Sequence, residues 1–199
     1  MKCLLLFQNI RDKKGFSLIE LLVGLLLMIT VGSIVLTIFF ATLRGANKTA
    51  SLEAIRQNGS HAINQISRAI RSAKSFDGVS LNGVDTFSTY CVVPDGPTPP
   101  FIQYKAVQVT TFDDVTEVYR CPLDDEEGLY VNDQSLIDQG KVIVSPQNAC
   151  YFICIQTASS GVPTIGINFT LSTNVQSSSP DIRSTLPFQT TVSPRNFAR

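Results

Sequence analysis

From Leu21 to Leu43 no charged residue interrupts a run rich in Leu, Ile, Val and Phe, 23 consecutive positions. At about 1.5 Å per residue a helix of that length reaches roughly 35 Å, enough to cross a hydrocarbon core of about 30 Å. The pattern then changes. Leu52, Ile55, Gly59, Ala62, Ile63, Ile66, Ala69, Ile70 and Ala73 recur at helical spacing, with Arg56, Gln57, Gln65, Arg68 and Arg71 off the stripe. That spacing predicts an amphipathic helix with one face turned to a sheet. No proline occurs from Met1 to Val93, so one continuous helix from Phe16 to about Lys74 is allowed. Gly32 and Gly45 are its weak points, since glycine costs a helix about 1 kcal/mol relative to alanine.

After Phe76-Asp77-Gly78 the chain reads as strands divided by Gly, Pro, Asp and Ser. These are Phe87 to Val93, Phe101 to Val109, Val115 to Cys121, Val142 to Ser145, Ala149 to Thr157, Thr164 to Leu171 and Phe188 to Val192. Ile165, Ile167, Phe169 and Leu171 alternate with Thr164, Gly166, Asn168 and Thr170, and Thr111-Phe112-Asp113-Asp114 reads as a hairpin turn. Pro94 to Pro100 and Ser177 to Pro180 are irregular connections. The expected class is α+β: a long N-terminal helix packed on a mostly antiparallel sheet, in a head of roughly 120 residues that can bury a core.

Charge sharpens the layout. The 199 residues carry 16 basic and 16 acidic side chains, which gives no basic footprint for general nucleic-acid binding. Residues 1–15 hold four basic side chains against one acid, so the positive-inside rule keeps them cytoplasmic and sends the bulk of the chain across. Without them, 12 basic and 15 acidic side chains remain, which further disfavours direct capture of nucleic acid.

A secretory signal peptide competes for the apolar segment, but its core should run about 7–15 residues and end in an A-x-A-like site. The longer run here and the exit Ala41-Thr42-Leu43-Arg44 match poorly. An ordinary single-span anchor explains the hydrophobicity and leaves Glu20 unexplained. A carboxylate next to lipid is costly, and it either snorkels to the headgroups or has a partner.

The segment Lys13-Lys14-Gly15-Phe16-Ser17-Leu18-Ile19-Glu20-Leu21-Leu22-Val23 resembles the N-terminal signal of type IV pilins and type II secretion pseudopilins. The resemblance implies cleavage by a prepilin peptidase between Gly15 and Phe16, N-methylation of Phe16, and Glu20 as the acidic residue at the fifth mature position. In that family the acid pairs with the free N-terminus of a neighbouring subunit and sets axial register. Two charges that are costly alone in lipid are tolerable as a pair. Ala62 to Ala73 and Phe188 to Asn196 are similar to segments of W-type minor pilins and J-type minor pseudopilins.

Removing residues 1–15 also removes Cys3 and leaves Cys91, Cys121, Cys150 and Cys154 in the exported head, where disulfides are permitted. Three pairings are open. In a strand, Cys150 and Cys154 would lie about 13 Å apart, whereas a disulfide needs Cα atoms within about 7 Å. Each would then pair with Cys91 or Cys121, in an unassigned order; a turn at Phe152 would reopen the local pairing. A four-cysteine zinc site is the rival, but only Cys150 and Cys154 have a short metal-ligand spacing. Asp124-Asp125-Glu126-Glu127 lacks EF-hand spacing and reads as a solvated loop rather than a calcium site. His61, the only histidine, sits on the amphipathic helix as a surface or interface residue. No nucleophile-elbow, phosphate-loop or zinc-protease motif occurs, and no cofactor is expected.

The expected organisation is a cleaved leader (1–15), a membrane-spanning and assembly half of the helix (16–43), an amphipathic half (44–75) and a β-rich extracytoplasmic head (76–199). The expected partners are the prepilin peptidase, other pilin or pseudopilin subunits, an inner-membrane assembly platform, and membrane lipid before assembly. The expected place is the inner or cytoplasmic membrane and then a filament. Two alternatives are a single-span anchored binding domain that never assembles and an anchored extracytoplasmic enzyme. Tolerance of Glu20→Ala and an uncut Gly15 would favour the first, and a pocket with convergent polar groups would favour the second.

Overall fold

A computed structural model describes residues 15, 17–84, 86–91, 102–156, 161–174 and 183–195. The chain divides into two compact units, Met1–Gly45 and Ala46–Arg199. A single helix, α1, covers Leu18–Ser72 and passes Gly32 and Gly45 without a break. The expected long helix is therefore present, with its described ends two residues inside the predicted ones.

In the first unit, every described residue of α1 is exposed. The hydroxyls in this stretch are satisfied within the helix: Thr30 Oγ1 donates to Leu27 O, Ser33 Oγ to Thr30 O, Thr37 Oγ1 to Ser33 O and Thr42 Oγ1 to Phe39 O, each at 2.8–2.9 Å. Such back-bonding removes the cost of carrying a hydroxyl in an apolar medium. Among the described residues, α1 is the one helix long and apolar enough to cross a membrane.

In the second unit, Ile55, Gly59, Ala62, Ile66 and Ile70 are buried, with Ala73 just beyond the helix end. Arg56, Gln57, Arg68 and Arg71 are exposed, as the stripe predicts. Against this face lie two antiparallel sheets rather than the single sheet expected. The first has the order β1 (Ser75–Ser80), β3 (Ala106–Thr110), β4 (Thr116–Arg120), β5 (Tyr130–Val131), β6 (Gln134–Ser135). The second has the order β10 (Thr185–Val192), β9 (Thr164–Thr173), β8 (Tyr151–Ile155), β2 (Gln103–Tyr104), and β7 (Val142–Val144) also pairs with β9. The class is α+β.

The division into two sheets happens at Lys105. The predicted strand from Phe101 to Val109 breaks there, with β2 pairing β8 and β3 pairing β1 and β4. Lys105 N–H donates to Ser80 O, its carbonyl accepts from Cys121 N–H, and its ammonium donates to Cys150 O. Backbone groups are thus satisfied on both sides of the switch.

Other departures have local causes. Ser75–Ser80, which spans the Phe76-Asp77-Gly78 boundary and lies outside the predicted strands, is strand β1, with a bulge between Phe76 and Gly78. Gly78 has φ +138°, and a Cβ there would lie 2.6 Å from Ser88 O. Glycine is what lets the strand approach that closely. The predicted strand Phe87–Val93 makes only a bridge, Val79 to Ser88, among the described residues. The hairpin β5–β6 escaped the sequence reading. Its turn residues Asn132 and Asp133 have φ of 47° and 63°, the pair of left-handed conformations that a two-residue hairpin turn uses. Strand β10 begins three residues early and contains Pro187. Thr173 N–H donates to Ser184 O, so by alternation Leu186 and Phe188 bond to β9 while the Pro187 nitrogen faces off the sheet edge. An edge position is where a strand tolerates proline.

The core joins both sheets to the helix. Phe188 stacks on Phe169 at 5.3 Å and lies over Gly59, where a Cβ would meet the Phe188 ring at 2.1 Å. Ile165, Ile167, Phe169 and Leu171 are buried as the alternation predicts, and central strand β9 buries Gly166 and Asn168 as well. On the other flank of the helix, Asn58 Oδ1 accepts from Asp138 N–H at 2.9 Å.

Candidate functional site

The N-terminal motif is the candidate site, and its local structure starts at Gly15. That residue is exposed and outside the helix, and nothing approaches the place of its absent Cβ within 4 Å. Phe16, Lys13, Lys14 and Cys3 lie outside the described residues. The Ser17 carbonyl accepts from Glu20 N–H at 3.0 Å and from Leu21 N–H at 3.2 Å, opening α1. Glu20 therefore occupies the first turn, where the helix dipole favours a carboxylate by about 0.3–1 kcal/mol. Its side chain is exposed and has no partner among the described residues.

The four head cysteines form two bridges. Cys91 pairs with Cys154, with Cα atoms 5.3 Å apart, and Cys121 pairs with Cys150, with Cα atoms 5.6 Å apart. The strand argument against a Cys150–Cys154 bridge holds, because Tyr151–Ile155 is β8. Spacing alone left the order open. Cys121 follows β4 of the first sheet and Cys150 precedes β8 of the second, so this bridge ties the two sheets together. The other fastens the segment after the Ser88 bridge to β8, assisted by Cys91 N–H donating to Gln156 Oε1 at 3.3 Å.

The acidic run does not converge. Arg120 grips Glu126 with both Nη atoms, the Nη2 bond to Oε1 being 3.0 Å, and also holds Asp133 Oδ1 through Nε at 3.1 Å and Nη2 at 2.8 Å. Its guanidinium lies 4.4 Å from the Tyr130 ring centroid. The bonds to Arg120 lower the Glu126 pKa, and those to Glu126 raise that of Arg120. Burial, with the bond to Glu117, raises the Tyr119 phenol well above its ordinary value. Asp124, Asp125 and Glu127 point to solvent, and no three His, Cys, Asp or Glu residues among those described gather as metal ligands. His61 is exposed on α1.

A groove of about 620 Å³ runs between Ala50–Asn58 and residues 140–141 and 173–174, with Glu53 and Lys141 as its charged members. Glu53 Oε1 accepts from Gln57 Nε2 at 3.2 Å and Lys141 pairs with Asp138 at 2.9 Å. Sequence reading missed Arg120 as the organiser of the β4–β5 region. Its signal is faint: one Arg followed within 13 residues by Glu126 and Asp133. Comparison with protein-family models, curated proteins and solved structures found no match.

Proposed function

We propose that this chain is a structural, non-catalytic subunit, a minor pilin or pseudopilin, of a type IV pilus-like or type II secretion filament. The observation that carries the reading is the Lys13-Lys14-Gly15-Phe16-Ser17-Leu18-Ile19-Glu20 motif, whose last three residues open a 55-residue helix. Gly15 lies outside the helix and is exposed, as a peptidase cleft needs at the scissile bond. Cleavage frees a positive amine at Phe16, and the exposed carboxylate of Glu20 has the sign to receive such an amine from a neighbouring copy.

The precursor waits in the inner or cytoplasmic membrane with residues 1–15 on the cytoplasmic side. Prepilin peptidase removes them, Phe16 is methylated, and the assembly platform passes the subunit into the filament. Packing there is driven by close van der Waals contact between apolar helix faces, because lipid already satisfies their hydrophobicity. Glu20 supplies the specificity that this apolar contact lacks.

The test is mass spectrometry of the N-terminal peptide after co-expression with a prepilin peptidase. The expected peptide starts at Phe16 and is heavier by one methyl group. A chain that still begins at Met1 while a control prepilin is cut would sink the filament reading.

A further inference from the structure

Charge is segregated within the second unit. Residues 46–74 carry five basic side chains and one acid, whereas residues 75–199 carry six basic and thirteen acidic ones. Arg68 and Arg71 are exposed near the C-terminal end of α1, and Arg195 N–H donates to Arg71 O at 3.2 Å, bringing a third exposed arginine to the same end. None of the three has an ion pair among the described residues. Of the acids nearby, Asp114 is paired with Lys74, Asp77 accepts from the hydroxyls of Ser75 and Thr110, and Asp113 stands exposed at the hairpin tip. Elsewhere, Asp124, Asp125 and Glu127 are exposed and have no ion pair among the described residues, while Glu126 is occupied by Arg120.

The two clusters sit at opposite ends of the first sheet. Lys74 N–H donates to Thr110 O, so the helix end lies beside the Thr110–Thr116 end of the β3–β4 pair. The acidic loop leaves from the other end, after Arg120, about 13 Å away along a five-residue strand. Arginines and acids this far apart do not neutralise one another within one head.

We infer that the Arg68–Arg71–Arg195 end of α1 is a docking surface for a second copy of this chain, engaged by that copy's Asp124–Glu127 loop. A contact between two different surfaces leaves one of each free on the outer copies, so it propagates instead of closing into a dimer. Each exposed ion pair is weak. Copies held in one membrane or filament have a high effective concentration, which makes several weak pairs sufficient. Like charges meeting in any other register repel, so the contact selects alignment more than it adds affinity. The inference rests on the filament reading for what brings copies together.

The test uses the full chain in membranes with prepilin peptidase, carrying a photoreactive benzophenone amino acid in place of exposed Ser72. Illumination is expected to give a covalent dimer whose joined peptide contains Asp124–Glu127. Arg68→Glu with Arg71→Glu should cut its yield about tenfold, as like charges then face each other. Co-expressed copies bearing Asp124→Lys and Asp125→Lys should restore it, which a misfolded head would not allow. Adducts confined to lipid, to another protein or to another segment, or a yield indifferent to charge reversal, overturn the inference. The N-terminal mass from the same membranes separates the two ideas. A chain processed at Phe16 without this cross-link sinks the docking surface alone, while the cross-link on a chain starting at Met1 sinks the filament reading.

Discussion

Between Leu18 and Leu43 the large apolar side chains of α1 are exposed, from 81% at Leu18 to 46% at Leu43, whereas Ile55, Ile66 and Ile70 on the same helix are fully buried. Composition explains part of the contrast. The first stretch is apolar on every side and can be satisfied only by lipid or by other helices; the second has one apolar stripe and a charged back. The difference teaches that helical propensity is common to both halves, while stability is not. In the second half each buried isoleucine contributes about 1.5–3 kcal/mol by leaving water. In the first, the same side chains are exposed and available to whatever surrounds the segment.

The comparison breaks most directly with paired truncations. Ile66→Ala should cost the head about 4 kcal/mol in urea unfolding followed by near-ultraviolet circular dichroism, because it opens a cavity in a close-packed core. Ile38→Ala should leave that transition where it was. Equal losses at both sites would mean that the apolar half also packs on the head.

Covalent ties sharpen the same point. Replacing either Cys91 with Cys154, or Cys121 with Cys150, by paired alanines should destabilise the head by about 3–4 kcal/mol, since closures of 63 and 29 residues are released in the unfolded chain. Insertion of the apolar segment, read by alkaline extraction of membranes, should not change. A third comparison uses glycines. Gly59→Ala forces Phe188 off Phe169 and should cost about 1–3 kcal/mol, whereas Gly32→Ala, with open space around it, should strengthen the helix by about 1 kcal/mol.

The smallest effect is electrostatic. Because Arg120 lowers the Glu126 pKa in the folded head, the unfolded chain binds the proton more readily, and stability must rise with pH through this group. The contribution is in place above the usual glutamate value of about 4.3 and is lost as pH falls through the lower folded value. Thermal unfolding below pH 5 should therefore flatten in Glu126→Gln. An unchanged pH slope would show that the Arg120 grip does not persist in solution.

Much of this was legible in the sequence, for specific reasons. The apolar run, the stripe from Ile55 to Ala73, the alternation in β9 and the hairpin at Thr111–Asp114 are periodic signals that short-range geometry imposes. The argument against a Cys150–Cys154 bridge followed from strand rise once that segment is a strand, which β8 is. What escaped lacks periodicity: β1 is interrupted by a bulge, β5 and β6 are two residues each, and the strand break at Lys105 is made by partners 25 residues before and 16 after it. The candidate site divides the same way, since the motif from Lys13 to Glu20 is contiguous and readable, while the charge separation across the head is assembled from distant segments.

By itself the sequence determined a long helix with an all-round apolar half and a striped half, a β-rich head with four cysteines, and a positively charged N-terminal segment. These depend on residue identity at fixed local spacing. Only the tertiary structure decided that the head has two sheets, that Cys91 joins Cys154 and Cys121 joins Cys150, that Gly59 must be small beneath Phe188, and that Arg195 stands beside Arg71. Each of these depends on which distant segments the folded backbone brings within contact, and no spacing along the chain encodes that proximity.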